Sequence, residues 1–235
     1  MPSHSKPVRL LVLMAKFPQP GRVKTRLVPP LTEAQSADLY HAFLQDKIAQ
    51  MRGVAGVQRA IAYTPPAGRS YFAALAPGFI LVEQAGPDLA ARLTNLFDTS
   101  FTGDVEQVIA IDGDTPTLPP DYLRRGFKVL EDPAVDVALG PCEDGGYYAI
   151  GMKRLHATLF NVTVSTPHVT RDTLARAAEA GLSVHCLPEW WDVDRPDDLA
   201  RLKVTLSAGR NANEFTAPST RRQLLAEPPS QRAAS

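Results

Sequence analysis

After a short polar start, the chain runs through VRLLVLM (8–14), an apolar stretch closed by a loop rich in proline and glycine, which reads as a buried strand. Similar short apolar runs recur at 57–63, 78–83, 106–111, 135–140, 146–151 and 182–187. Between them the period changes from two to that of a helix. Tyr40, Phe43, Leu44, Ile48 and Met51 fall on one helical face, Thr32 and Gln35 ahead of them form a capping-box signature, and Gly53 ends the run. Further helices are predicted over 87–100, near 120–130, near 153–160, over 169–180, and from Pro196 with Leu199, Leu202 and Leu206 on one side. From about 209 the periodicity is lost and the composition turns polar and proline-rich, which predicts a flexible tail over 209–235.

Strands alternating with helices across 8–208 predict an α/β fold: a single-domain, three-layer sandwich around a mainly parallel sheet. In such sheets ligands bind beyond the carboxyl ends of the strands. Four unusual loops fall on that edge. The first predicted strand runs into AKFPQPGRVKTRL (15–27), the fourth into Asp112-Gly113-Asp114, the fifth into Pro141-Cys-Glu-Asp-Gly-Gly146, and the last into Trp190-Trp-Asp-Val-Asp194. One shared site is the simplest reading.

Charge sharpens this picture. Lys plus Arg and Asp plus Glu both number 25, so the formal net charge is zero, which argues against a general binder of nucleic acid or anionic membrane. The distribution is uneven, however: six Lys or Arg precede Glu33 with no acid among them, whereas five acids lie between Glu189 and Asp198. One end of the chain suits an anion and the other a cation. The two cysteines have no metal or redox spacing, and His156, His168 and His185 have no ligand spacing, so zinc is not expected. No run approaches the ~20 apolar residues of a membrane helix and no cleavage signal follows the first strand, so the expectation is a cytoplasmic protein without a membrane span.

Each loop has a chemistry and a plainer alternative. GRVKT is not a Walker loop, because Pro18 stands at the required glycine, but Gly21 allows close backbone approach and Lys24 and Arg26, with Lys16 nearby, can hold phosphate oxygens. The alternative is a solvated cationic loop. Asp112-Gly-Asp114 offers hard oxygen ligands for Mg²⁺ or Mn²⁺, and equally forms an Asx turn. Glu143 and Asp144 beside Gly145-Gly146 make a turn that can also orient or deprotonate an acceptor hydroxyl. Asp192 and Asp194 alternate about Val193, so both carboxylates reach one side, while Asp197 and Asp198 suit the start of a helix.

In this order and spacing the four motifs resemble the nucleotide-diphospho-sugar transferase superfamily of GT-A fold. They are most similar to a bacterial family of GT-A-like glycosyltransferases patterned as AKxPxPGxVKTRLxPxL, GxDxPxLP, GPxxDGGYxxxG and DVDTPxDL. The resemblance runs from about residue 10 to 206. The first motif also resembles 2-phospho-lactate guanylyltransferases and the last molybdenum-cofactor nucleotidyltransferases. The resemblance implies nucleotide binding by Lys16, Gly21, Lys24 and Arg26. It also implies Mg²⁺ or Mn²⁺ on Asp114, Asp192 and Asp194, catalysis by Asp144 and Asp114, and acceptor contacts from Glu143, Gly145 and Gly146. Arg195 stands where threonine is usual and Asp112 adds a carboxylate. The expected partners are a nucleotide sugar and a small acceptor. Transfer from a nucleoside triphosphate to a phosphorylated acceptor is the rival reaction, and a non-catalytic nucleotide-binding module is the rival of another class.

Overall fold

In strand β1 (Val8–Lys16) alternate residues serve opposite layers: Leu11, Leu13 and Ala15 join one apolar cluster, Leu10 and Val12 the other. That double burial explains the unbroken apolar run, since a strand covered on both faces has no side for water. The computed structural model describes residues 8–163, 166–208 and 215–225. The strands β2 (Gln58–Thr64), β3 (Ile80–Glu83), β4 (Val105–Ile111), β5 (Val137–Pro141), β6 (Tyr147–Met152) and β7 (Val184–Cys186) complete a seven-stranded sheet in the order β3-β2-β1-β4-β6-β5-β7. All neighbours pair in parallel except β6, which runs antiparallel to both β4 and β5.

One layer over the sheet comprises α1 (Glu33–Arg52), α2 (Arg69–Leu75), α4 (Pro120–Leu130), α6 (Pro196–Ser207) and α7 (Pro218–Leu225); the other comprises α3 (Leu89–Ser100) and α5 (Val169–Glu179). The expected three-layer, mainly parallel sandwich is therefore the observed fold. The predicted capping box is present as well: the Gln35 amide donates to Thr32 Oγ1 and the Thr32 amide to Gln35 Oε1.

Two local expectations differ, and one element is unannounced. The helix expected near 153–160 is a short 3-10 turn, Ala157–Phe160, whose Phe160 ring stacks on Phe97 of α3 at 5.7 Å. The two-turn helix α2, between β2 and β3, is an element that the pattern of apolar positions does not predict. Part of the expected tail also carries structure. Residues 209–214 and 226–235 lie outside the described residues, but α7 packs on α1 with Ala217 and Thr220 buried. Its first amides, those of Ser219 and Thr220, donate to the carboxylate of Asp46 at 3.0 and 2.8 Å. A side chain far upstream thus caps a helix that its own polar sequence does not announce.

Candidate active site at the strand carboxyl edge

The four loops meet. Lys24 joins three of them: its Nζ lies 2.6 Å from Asp114 Oδ1 and 2.7 Å from Asp194 Oδ1, and it donates to the Val193 carbonyl at 2.8 Å. An ammonium has three protons, so these partners use all of them. The Lys24 side chain is 4% exposed and sits 5.7 Å from the Phe43 ring centre. Burial favours its neutral form, but the charges of Asp114 and Asp194 and their hydrogen bonds outweigh that and raise its pKa. The residue stands in the left-handed region at φ 47°, just ahead of the 3-10 turn Thr25–Leu27 that buries Leu27. The sequence reading gave Lys24 to phosphate; here it faces carboxylates.

The other predicted cations face the open edge. Lys16 ends β1 exposed, its amide donating to Tyr40 Oη at 3.2 Å. Arg26 is 62% exposed, with Nη1 3.5 Å from Asp194 Oδ2. Gly21 has φ 71°, and the Glu33 carboxylate approaches within 3.1 Å of where its Cβ would stand, so the basic loop has an acid beside it after all. Asp194 has its pKa lowered: burial alone would raise it, and Lys24, Arg26 and Lys16 reverse that.

Asp112 is held from behind. Lys47, fully buried on α1, donates to Thr115 Oγ1 at 2.8 Å and lies 3.6 Å from Asp112 Oδ1, while the Thr115 hydroxyl donates to Asp112 at 2.7 Å. Gln50, one turn further, donates to the Pro116 carbonyl at 2.6 Å. Burial pushes the Asp112 carboxyl up to about 6 despite Lys47. Sequence reasoning missed Lys47 and Gln50. The available signal was their phase: Lys47 falls three residues after Leu44 and four before Met51, on the apolar stripe.

Gly146 donates to Asp144 Oδ1 at 2.8 Å, and the Gly145 amide to the Cys142 carbonyl at 3.0 Å, which makes the expected turn. Gly145 has φ 88°, and a Cβ there would overlap the Pro167 carbonyl. Glu143, the predicted acceptor contact, forms a two-pronged pair with Arg201 at 2.5 and 3.0 Å, and that guanidinium stacks 4.4 Å over the Trp191 ring. Trp191 and Val193 are buried, so Asp192 and Asp194 reach the opposite side together, as alternation requires. Burial and then the charges of Asp144, Asp194 and Asp112 push Asp192 up to about 8. Asp198 serves structure: its Oδ2 accepts the amides of Asp194 and Arg195 at the start of α6.

The carboxylates have the right chemistry for Mg²⁺ or Mn²⁺, and the charges of Asp144, Asp194 and Asp112 bear on Asp192, offset in part by Lys24. Their arrangement does not fit. Lys24 occupies the position between Asp114 and Asp194, and among the described residues no three His, Cys, Asp or Glu side chains converge as a metal cage.

Sheet order, layers and the position of these loops define a nucleotide-diphospho-sugar transferase fold. The sequence profile of a family described as "Uncharacterized protein conserved in bacteria (DUF2064)" matches residues 47–166, and the chain belongs to that family. It is similar, at 27% identity and a TM-score of 0.81, to a protein of Desulfovibrio desulfuricans G20 provisionally assigned as a nucleotide-diphospho-sugar transferase, covering 92% of this chain and 97% of that one. It shares its fold with a CMP:2-keto-3-deoxy-manno-octonic acid synthetase complexed with CTP (15% identity, TM-score 0.58, 86% and 99% covered). It does so too with a 4-diphosphocytidyl-2C-methyl-D-erythritol synthase of Anaerococcus prevotii DSM 20548 (9% identity, TM-score 0.60, 85% and 96% covered). No curated protein matches the chain. Among the described residues no helix is long and apolar enough to cross a membrane.

Proposed function

We propose that this chain is a nucleotide-dependent transferase acting at the strand carboxyl edge, and that it moves a sugar from a nucleoside-diphosphate sugar to the hydroxyl of a small acceptor. The observation that carries the reading is the meeting of exposed cations with a carboxylate group at one edge: Lys16 and Arg26 on one side, Asp144 and Asp192 on the other, with Lys24 between. The similarity to the Desulfovibrio protein over nearly the whole of both chains supports the same class.

In this scheme Arg26 and Lys16 bind the donor's diphosphate, with Gly21 allowing the backbone close to it. Asp144 uses the carboxylate oxygen not engaged by Gly146 to accept the acceptor's hydroxyl proton. The acceptor oxygen bonds to the anomeric carbon as that carbon's bond to the diphosphate oxygen breaks. The electron pair leaves on the nucleoside diphosphate, where the two cations counter the charge. No step of this scheme is routed through Mg²⁺ or Mn²⁺, since Lys24 holds both Asp114 and Asp194.

The test is a panel of nucleotide sugars and nucleoside triphosphates with small hydroxylated acceptors. Nucleoside diphosphate and pyrophosphate are both measured, beside thermal shifts for each donor. Release of a nucleoside diphosphate, lost in Asp144→Asn and Asp192→Asn at unchanged melting temperature, is expected. Asp114→Ala is a poor control because it also strips a partner from Lys24. Pyrophosphate release from a triphosphate would replace glycosyl with nucleotidyl transfer. Binding without turnover across the panel would make the chain a nucleotide-binding module.

A further inference from the structure

Lys24 stands where a cation shared by Asp114 and Asp194 would stand. Its three protons go to Asp114 Oδ1, Asp194 Oδ1 and the Val193 carbonyl, at 2.6, 2.7 and 2.8 Å. These are charge-assisted bonds from an ammonium whose side chain is 4% exposed to two carboxylates that are 37% and 33% exposed. The ammonium is delivered by a tether and not by diffusion. Val23 and Leu27 are buried on either side of it, the Leu27 amide donates back to the Lys24 carbonyl at 3.0 Å, and the backbone is held at φ 47°. A non-glycine residue keeps that conformation only where its surroundings over-determine it. A tethered ligand competes at a high effective concentration against any ion in solution.

We infer that Lys24 is the resident cation of the Asp114–Asp194 pair, so that a divalent ion enters this pair only by displacing the lysine ammonium. The expected metal set and the observed geometry disagree for this reason: the acids suit a metal, and the chain fills the place itself. The inference rests on the reading of this edge as the donor site only for its functional meaning, since the exchange concerns three side chains and an ion. It gives the basic loop a second task. Removing Lys24 should uncover a metal site, not merely remove a positive charge.

The experiment measures Mn²⁺ binding without nucleotide, by the free-ion electron paramagnetic resonance signal, in wild type, Lys24→Met and Lys24→Met/Asp194→Asn. Lys24→Met is expected to bind Mn²⁺ at least about tenfold more tightly than wild type, a gain of about 1.4 kcal/mol, and the second substitution to remove that gain. Equal or weaker binding by Lys24→Met overturns the inference. If that variant does not fold, wild type labelled with ¹⁵N at its lysine ammonium groups decides. A slowly exchanging Lys24 signal is expected without added metal, and its absence there, or Mg²⁺ bound at Asp114 and Asp194 with that signal unchanged, overturns the inference. Neither measurement contains a nucleotide or reads turnover, so failure here leaves the transferase reading intact, and a failed transferase assay leaves this inference intact.

Discussion

Lys47→Met tests how the Asp112 loop is held. Methionine keeps the length and apolar stem of the lysine, so no large cavity forms; the change removes an ammonium that is 0% exposed. Thr115 is not orphaned, because its hydroxyl still donates to Asp112. The group left wanting is the Asp112 carboxylate, whose side chain is 21% exposed. Breaking a fully buried ion pair costs about 3–5 kcal/mol, and partial exposure places this case at the lower end, about 3 kcal/mol. For a domain of this size that lowers the melting temperature by about 6–12 °C. Urea unfolding followed by tryptophan fluorescence suits the measurement, since Trp190 and Trp191 adjoin Asp192. Adding Asp112→Asn to Lys47→Met removes the unpaired charge and should restore about half of the loss. Lys47→Met melting with the wild type, or a double variant no better than the single one, would refute this account.

Asp46→Ala should cost about 1 kcal/mol through the lost cap and raise hydrogen exchange across 218–225, with α1 itself unaffected. Gly145→Ala forces a side chain onto a backbone at φ 88° against the Pro167 carbonyl; a loss of about 1–3 kcal/mol is expected from the strain alone, read as a lower melting temperature. For Glu143, the Arg201 hydrogen bond holds the carboxyl below its usual range, so the pair stabilises above the unfolded pKa and is lost as pH falls through the folded one. Both side chains are about half exposed, so Glu143→Gln should cost under about 1 kcal/mol at pH 7 and nothing in strong acid, as compared by urea midpoints at the two pH values.

Much of the architecture was legible because it depends on local pattern. The run 8–14 announces a strand covered on both faces, and Thr32 with Gln35 announces the start of α1. The edge rule for parallel sheets then gathers four loops from one strand end each, which is why their meeting could be anticipated before its contacts were known. What stayed hidden depends on partners distant in the chain. Nothing within AKFPQPGRVKTRL says that Lys24 turns inward, because the carboxylates receiving it, Asp114 and Asp194, lie far downstream, the second by 170 residues. The helix α7 likewise needs Asp46, more than 170 residues upstream. Lys47 was in principle readable, as a charge in phase with an apolar stripe, but reading only the apolar members of a stripe passes over it.

Adjoining turns of α1 carry Asp46, Lys47 and Gln50, and these side chains grip two different segments. Asp46 grips the start of α7, while Lys47 and Gln50 grip the loop behind Asp114. The Phe215 amide reinforces this by donating to the Thr117 carbonyl at 3.3 Å, so the last described segment leans on the same loop. Anyone shortening the chain before residue 215 to obtain a tidier crystal would therefore be pulling a wedge from behind the candidate site. An affinity handle or fluorophore is better placed beyond residue 225 than spliced into the connection after α6.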